Sequence, residues 1–420
     1  MKITDVVHGD FHLPPIVAAI VKTDIFQRLK GIHQLGSLYF VAPEAKSNRY
    51  EHCLGTYYVA DQMLKHLESN WNLSIDLFYK QCVTIAGLLH DIGHGPFSHC
   101  WDFNKLRSHE RNAYDCIDHI FSRDDIKISD NGEKNSLAVE IIKSLINPED
   151  MELKTRVTGN PLFDSNYMFI YEIISNKKCE LDVDKADYLL RDNHYMTDCD
   201  FFPRDPNTNE KYIVRSKDIL GIFYNARISD DRQHVEFRTL DFGNIYHLFD
   251  SRTQFHIHMY QQSECNFKEI LLVELVKERD QRSTLKKLSE IDSRKIEDFL
   301  ELTDEVVLKE LEKVNDEIDS RNKVLQMTEK LTVEEELEKV KNDEYQRMFS
   351  ALNGLSYSIS IEKREKSIPV HVKVKYAGEK MREDDIPFYG DITKKPKVNQ
   401  MKGVYEKTWY YTFNDSNNNN

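Results

Sequence analysis

The stretch GLLHDIGHGPFSH, residues 87–99, carries His90, Asp91, His94 and His99 within ten positions. An apolar run, Cys82 to Leu89, leads directly into it. A neutral imidazole is a nitrogen ligand, and a protonated one is a proton donor near neutral pH. Aspartate adds an anionic oxygen ligand. A His-Asp pair at the end of a buried helix presents one nitrogen and one oxygen to the same cation. Burying that pair without a cation or another partner is costly. Gly93, Gly95 and Pro96 predict that the helix breaks straight after it.

Working outward, residues 1–270 read as a mostly helical core. Helices are expected from near Ile16, after Pro14-Pro15, over Arg49 to Leu67, and over Tyr167 to Ser175 and Leu181 to Asp192. HVEFRTL, residues 234–240, alternates like a short strand, and helix returns over 241–275. Residues 271–350 are charge-dense. Glu and Lys at i,i+4 spacing in ELTDEVVLKELEKVNDEI (301–318) predict a helical extension. The period then changes to two. Leu355, Tyr357, Ile359 and Ile361, then Val370, Val372, Val374 and Tyr376, predict an antiparallel strand pair in a small α+β lobe, 351–413. Residues 414–420 read as a disordered polar tail. The fold class is mainly α.

A chain of 420 residues with 40% hydrophobic content can bury a large core. Its formal net charge of −14 argues against general nucleic-acid binding, which needs a basic face. A polyanionic substrate would need a local cationic pocket instead. Seven cysteines without a CxxC pair suit reduced thiols, hence an intracellular setting, nucleus or cytoplasm. No secretory signal and no run of 18 apolar residues is present, so no membrane span is expected.

Four groups form the candidate metal shell: His52 in RYEHCLG, His90, Asp91, and Asp184 in ELDVDKADYLLRD. A helical fold can gather three such segments around one cation. Two imidazoles and two carboxylates leave octahedral positions open for water and a phosphate oxygen. The metal would serve as Lewis acid and water activator.

The order H…HD…D resembles the HD-domain phosphohydrolase superfamily. VVHGDF, FQRLKGIHQLG, NRYEHCLG, AGLLHDIGHGPFSH, YEIISNKKCELDVDKADYLLRD and MYQQ, in this order, resemble one branch more closely. That branch is the deoxynucleoside triphosphate triphosphohydrolases of the SAM-and-HD-domain type. The resemblance covers roughly residues 1–270 and continues more loosely toward the C-terminus. It begins at the HD region, so no SAM domain is expected here.

The resemblance implies hydrolysis of a dNTP to deoxynucleoside and inorganic triphosphate, with control of dNTP pools. It implies one divalent metal or iron per site (Fe, Mn, Mg or Zn), held by His52, His90, Asp91 and Asp184. His109 matches the general acid and Asp102 its orienting partner. His94 and His99 match groups near the α-phosphate. Protonation suits this chemistry, because the sugar 5′-oxygen leaves poorly as an alkoxide. Arg49, Lys185 and Arg252 match the residues that grip the phosphates. Tyr188 resembles the residue that leaves no room for a 2′-hydroxyl, and Asp192 the one that bonds the 3′-hydroxyl. Gln34, Leu35, Tyr260 and Gln261 match further contacts to sugar and base.

Relatives of that type are commonly homo-oligomers switched on by nucleotides between subunits. Gln27, Arg238 and Asn244 match positions of that regulatory site. Lys22, Lys30, Leu240, His258, Gln262 and Ser263 replace others. A lysine at 22 cannot accept guanine N–H donors, which argues against guanine-nucleotide activation in the family's manner. Two other function classes compete with this reading: an HD phosphodiesterase or nuclease acting on another phosphoester, and a non-enzymatic nucleotide-binding scaffold. The first would release monophosphate or pyrophosphate, and the second would have no need of the ligand set.

Overall fold

The computed structural model describes residues 1–102, 108–205, 208–282, 287–314, 331–336, 356–358, 367–375, 387–389 and 404–413. The chain opens with an antiparallel hairpin, β1 (Lys2–Asp5) and β2 (Gly9–His12). Two short helices follow, α1 (Pro15–Val21) and α2 (Asp24–Gln27). The heart of the molecule is helical: α3 (Arg49–Trp71), α4 (Leu77–Leu89), α5 (His99–Asp102), α6 (His109–Phe121), α7 (Gly132–Ile146), α8 (Met151–Thr158) and α9 (Val183–Met196). Helix α10 (Ser216–Tyr224) precedes strands β3 (Arg227–Ile228) and β4 (Val235–Arg238). Then come α11 (Phe242–Phe255), α12 (Ser263–Arg282), α13 (Ile296–Glu301) and α14 (Asp304–Val314).

Helix α4 is the axis of the core. Cys82, Val83, Ile85, Ala86, Leu88 and Leu89 have no measurable exposure, so its C-terminal half is buried nearly all round. It lies between α3 and α7. Asp76 starts it by accepting from the Phe78 N–H at 2.8 Å. Helix α3 starts in the same way: the Asn48 side chain accepts from the Glu51 N–H at 3.0 Å. Asn72, in the left-handed region (φ 50°), ends it. Helix α3 also packs on α9, and Gly55 permits their approach. A Cβ on Gly55 would lie 1.9 Å from Asp187 Oδ1.

The predicted helices at Arg49–Leu67 and Leu181–Asp192 are present; each runs about one turn further at its end, and the second begins at Val183. The helical stretch expected over Tyr167 to Ser175 is a 3₁₀ helix over residues 165–172, with Tyr167 off helical geometry. The 234–240 strand is confined to Val235–Arg238, because Thr239–Asp241 turns into a 3₁₀ segment ahead of α11.

Two features run across the expected domain bounds. Helix α12 runs through residue 270 and packs against both α5 and α14. Apolar burial therefore continues past it, through Leu288, Phe299, Leu302, Val307 and Leu311. The extension is also not helical throughout. Residues Leu331–Glu336 form strand β5, because LTVEEE pairs with a distant partner that overrides the helical preference of its glutamates.

That partner belongs to a four-stranded antiparallel sheet in the order β5, β9 (Val404–Phe413), β7 (Ser367–Lys375), β6 (Ser356–Ser358). Tyr357 faces Val372 in the predicted strand pair. Ile359, Ile361 and Tyr376 of that expectation, the tail 414–420 and most of 315–355 lie outside the described residues. Strand β8 (Phe388–Tyr389) pairs in parallel with β4 and ties the C-terminal part to the helical body. No helix among the described residues is long and apolar enough to cross a membrane.

Candidate active site

Three stretches of chain meet at the first cluster. His52 lies one turn into α3, His90 and Asp91 close α4, and Asp184 stands in the first turn of α9. His52 Nε2 is 3.1 Å from His90 Nε2 and 3.0 Å from Asp184 Oδ1. His90 Nε2 is 3.3 Å from both Asp91 Oδ2 and Asp184 Oδ1. His52 Nε2 lies 3.5 Å from Asp91 Oδ2.

The other ring nitrogens decide what these atoms are. His90 Nδ1 is 2.8 Å from the Gly87 carbonyl, which can only accept. His52 Nδ1 is 2.7 Å from Asp187 Oδ2. Each Nδ1 therefore carries the proton, and each neutral ring turns a bare Nε2 lone pair toward the other and toward two carboxylates. Such a contact of acceptors is repulsive unless a proton or a metal cation sits among them. The donor set, two nitrogens and two oxygens, suits a transition-metal or magnesium-class divalent ion.

Without a metal the carboxylates favour a proton in the place that a cation would take. Burial opposes charge on His90, yet Asp91 and Asp184 hold it well above its ordinary value. Burial also opposes ionisation of Asp91 and Asp184. The Arg49 guanidinium beside Asp91, and both histidines beside Asp184, nevertheless hold the two carboxyls below the usual carboxylate range.

A second row supports the first. Asp187 Oδ1 contacts His8 Nε2 at 2.6 Å and accepts from Arg191 Nη2 at 3.0 Å. Arg191 Nε donates to Asp187 Oδ2 at 3.0 Å, and its Nη2 also donates to Asp5 Oδ2 at 3.0 Å. This buried chain, Asp5–Arg191–Asp187–His52, fixes the ring of a ligating histidine, the usual role of outer partners in metal sites. The sequence reading missed Asp5, His8, Asp187 and Arg191. The i,i+4 spacing of Asp187 and Arg191 in DKADYLLRD, and His8 in VVHGDF, were the available signals.

Beyond the cluster, the predicted histidines come together. His94 Nε2 is 3.2 Å from Asp91 Oδ1. The His94 ring stacks on His109 at 4.0 Å between centroids and meets His99 edge-on at 5.0 Å. Nitrogens of His94, His99 and His109 all lie within 4.8 Å of one another. Burial, then Arg49 and His109, pushes His94 well below its ordinary value, so it stays neutral. His109 Nε2 is 3.3 Å from Glu110 Oε1. Asp102 ends α5, and its side chain lies outside the described residues.

The predicted phosphate cations are placed with partners of their own. Arg49 donates from Nε to Ser98 Oγ at 2.9 Å and from Nη1 to Asp91. Lys185 Nζ reaches Asp182 Oδ2 at 3.1 Å. Arg252 Nε donates to the Tyr188 hydroxyl at 3.2 Å. Helix α9 thus carries Asp184, Tyr188 and Asp192 at four-residue steps along one face, with Lys185 beside them. The Tyr260 hydroxyl donates to Asp192 Oδ2 at 2.6 Å. Burial pushes Asp192 up to about 7, although the Tyr260 bond pulls the other way. Asp192 Oδ1, Gln34 Oε1 and Gln261 Oε1 are buried acceptors without a partner among the described residues. Leu35 packs half-buried against the core beside Gln34.

The predicted regulatory residues sit elsewhere. Gln27 Nε2 donates to the Val21 carbonyl at 2.6 Å. Arg238 spends its fork on Asp241, at 3.0 and 2.7 Å. Lys30 lies over the Tyr50 ring, and Asn244 is half-buried near the start of α11.

Comparison with known proteins agrees with this geometry. Residues 49–192 match the HD domain, a stretch that runs from the start of α3 to Asp192 of α9 and contains all four candidate ligands. The chain is 30% identical over 383 residues to the deoxynucleoside triphosphate triphosphohydrolase SAMHD1 of Mus musculus, covering 83% of this chain and 56% of that protein. It is 29% identical over 411 residues to the SAMHD1 of Gallus gallus, covering 88% and 61%. A homolog from Dictyostelium discoideum is 29% identical over 318 residues, covering 73% and 54%. The chain therefore spans a little over half the length of these relatives. The resemblance first drawn from the ordered motifs stands.

Proposed function

We propose that this chain hydrolyses deoxynucleoside triphosphates to deoxynucleoside and inorganic triphosphate, and so controls dNTP pools. The observation that carries the reading is the succession along α9. A ligand carboxylate, Asp184, is followed by cations at Lys185 and across at Arg252. Next comes the Tyr188 ring, and then the buried Asp192–Tyr260 pair. That order suits a molecule with phosphate at one end and a hydroxylated sugar at the other.

Held by His52, His90, Asp91 and Asp184, one divalent metal or iron would supply Lewis acidity and an activated water at the innermost phosphorus. Arg49, Lys185 and Arg252 balance the charge of the triphosphate. His109, oriented by Asp102, delivers a proton to the departing 5′-oxygen, an effect of ~10²–10⁴-fold for a positioned acid. His94, kept neutral, and His99 bond the α-phosphate from the same side. Tyr188 fills the space of a 2′-hydroxyl, and Asp192 Oδ1 accepts from the 3′-hydroxyl. Gln34, Leu35, Tyr260 and Gln261 complete the sugar and base contacts.

The chain acts as a homo-oligomer in this reading, on the strength of the similarity. The lysines at 22 and 30 and the committed fork of Arg238 support an enzyme that is not switched by guanine nucleotides in the family's manner. Seven thiols, all buried and none in a disulfide, suit an intracellular setting.

Incubation with each dNTP and rNTP, with and without GTP, followed by chromatography of the products, tests the proposal. Inorganic triphosphate and a deoxynucleoside are expected. Release of monophosphate or pyrophosphate would replace this reading with a phosphodiesterase-type hydrolysis.

A further inference from the structure

His99, a proposed phosphate contact, follows two residues whose backbone no glycine relieves. Phe97 and Ser98 both sit in the left-handed region, each at φ 54°. Two consecutive non-glycine residues there need outside support. That support comes from far along the chain. Asp304, at the start of α14, accepts from the Phe97 N–H through Oδ1 at 2.6 Å. Its other oxygen, Oδ2, accepts from the His33 N–H at 2.9 Å and from His33 Nδ1 at 2.7 Å. Its side chain is only 5% exposed.

The two segments that Asp304 grips also touch each other. Ser98 Oγ donates to the His33 carbonyl at 2.6 Å. Gly36, at φ +54°, lies so close to Phe97 that a Cβ there would be 2.6 Å from the Phe97 carbonyl oxygen. Gln34 and Leu35, the proposed sugar contacts, fall between His33 and Gly36. Arg28 adds a parallel tie, donating to the Ile92 and His94 carbonyls at 3.0 and 2.7 Å and to Leu302 at 3.1 Å.

We propose that Asp304 is a positioning residue for the hydrolysis. Its single carboxylate fixes the turn carrying Gln34 and Leu35 against the turn preceding His99, and so sets the spacing between the sugar-binding wall and the phosphate-facing histidines. The inference rests on the hydrolase reading above for its consequence, but its geometry stands without it. Asp304 lies outside the matched HD domain, so the segment beyond residue 270 takes part in building the site.

The test uses the full chain with Asp304→Asn and Asp304→Ala. Asparagine keeps the shape but offers one acceptor in place of two, so one of the turns loses its tie. Three measurements are made: amide hydrogen exchange of 33–36 and 97–100 without nucleotide, metal bound per chain, and kcat and KM for a dNTP. Exchange at both segments should rise in Asp304→Ala, and at one or both in Asp304→Asn. Metal content should stay at the wild-type level. Misplacement of a catalytic group by about 1 Å costs on the order of 10²-fold, so kcat should drop by roughly 10- to 100-fold, with KM moving much less.

Wild-type exchange and wild-type kcat in a folded Asp304→Asn protein would overturn the proposal. So would a kcat loss fully matched by metal loss or by faster exchange across the whole chain, since that reports general destabilisation. If the wild-type chain turns over no dNTP, the hydrolase reading fails by itself, and the exchange measurement still decides the brace.

Discussion

Asp192→Asn should make the nucleotide-free protein more stable at alkaline pH while it weakens turnover. The Asp192 side chain is buried, its Oδ2 accepts from Tyr260 at 2.6 Å, and its Oδ1 has no described partner. Burial pushes its pKa up to about 7. In the unfolded chain an aspartate titrates near 3.9. Between those values the folded state holds a proton that the unfolded state has released. Stability from this group is therefore fully present below about pH 4 and is lost as pH rises through about 7.

The gap corresponds to about 4 kcal/mol at most, and solvent entry into the empty site lowers it. Asparagine is neutral at every pH and can still accept from Tyr260. Denaturant unfolding of metal-free wild type and variant at about pH 5 and about pH 8 measures the effect. The variant should gain on the wild type by up to about 2.5 kcal/mol between the two conditions, because part of the gap is already lost at about pH 5. An equal difference at both pH values would refute the reasoning, because it would mean that Asp192 is ionised and stabilised throughout. The same variant should lose activity on substrates bearing a 3′-hydroxyl, since an amide NH₂ group can face the hydroxyl in place of an acceptor.

Further outcomes follow from the same geometry. Asp184→Ala should lose bound metal, read by elemental analysis, together with turnover; activity surviving the change would contradict the ligand set. His109→Ala should keep its metal and lose ~10²–10⁴-fold in kcat, and a matched loss of metal would remove the acid role. Asp187→Asn should weaken metal retention against a chelator by roughly 10- to 100-fold, with wild-type retention speaking against the outer row. Gly55→Ala should destabilise the fold by about 3 kcal/mol or more, because the new methyl would collide with the Asp187–Arg191 pair. A melting temperature like that of the wild type would show that α3 and α9 can separate without cost.

Much of the site was legible because its parts are local. HDIGHGPFSH puts a nitrogen and an oxygen ligand side by side at the end of a largely apolar helix, and DVDKADYLLRD spaces Asp184, Tyr188 and Asp192 on one helical face. Periodicity likewise revealed α3 and α9, whose caps and buried faces are written within a few residues. What escaped was carried by long-range pairing. The glutamates of β5 look helical until Tyr410, Trp409 and Thr408 of β9 lie opposite them.

The sequence by itself determined which groups could do the chemistry: the ligand types, the histidine cluster, and the cations and hydroxyls set at helical intervals. Only the tertiary structure decided their states and supports. It turned two imidazole lone pairs toward each other by tying their far nitrogens to Gly87 and Asp187, and it drew Asp304 across to the turns at His33 and Phe97. The physical reason is one of reach. Helical spacing fixes neighbours three or four positions apart, whereas a hydrogen bond joining residues two hundred positions apart exists only once the core has packed.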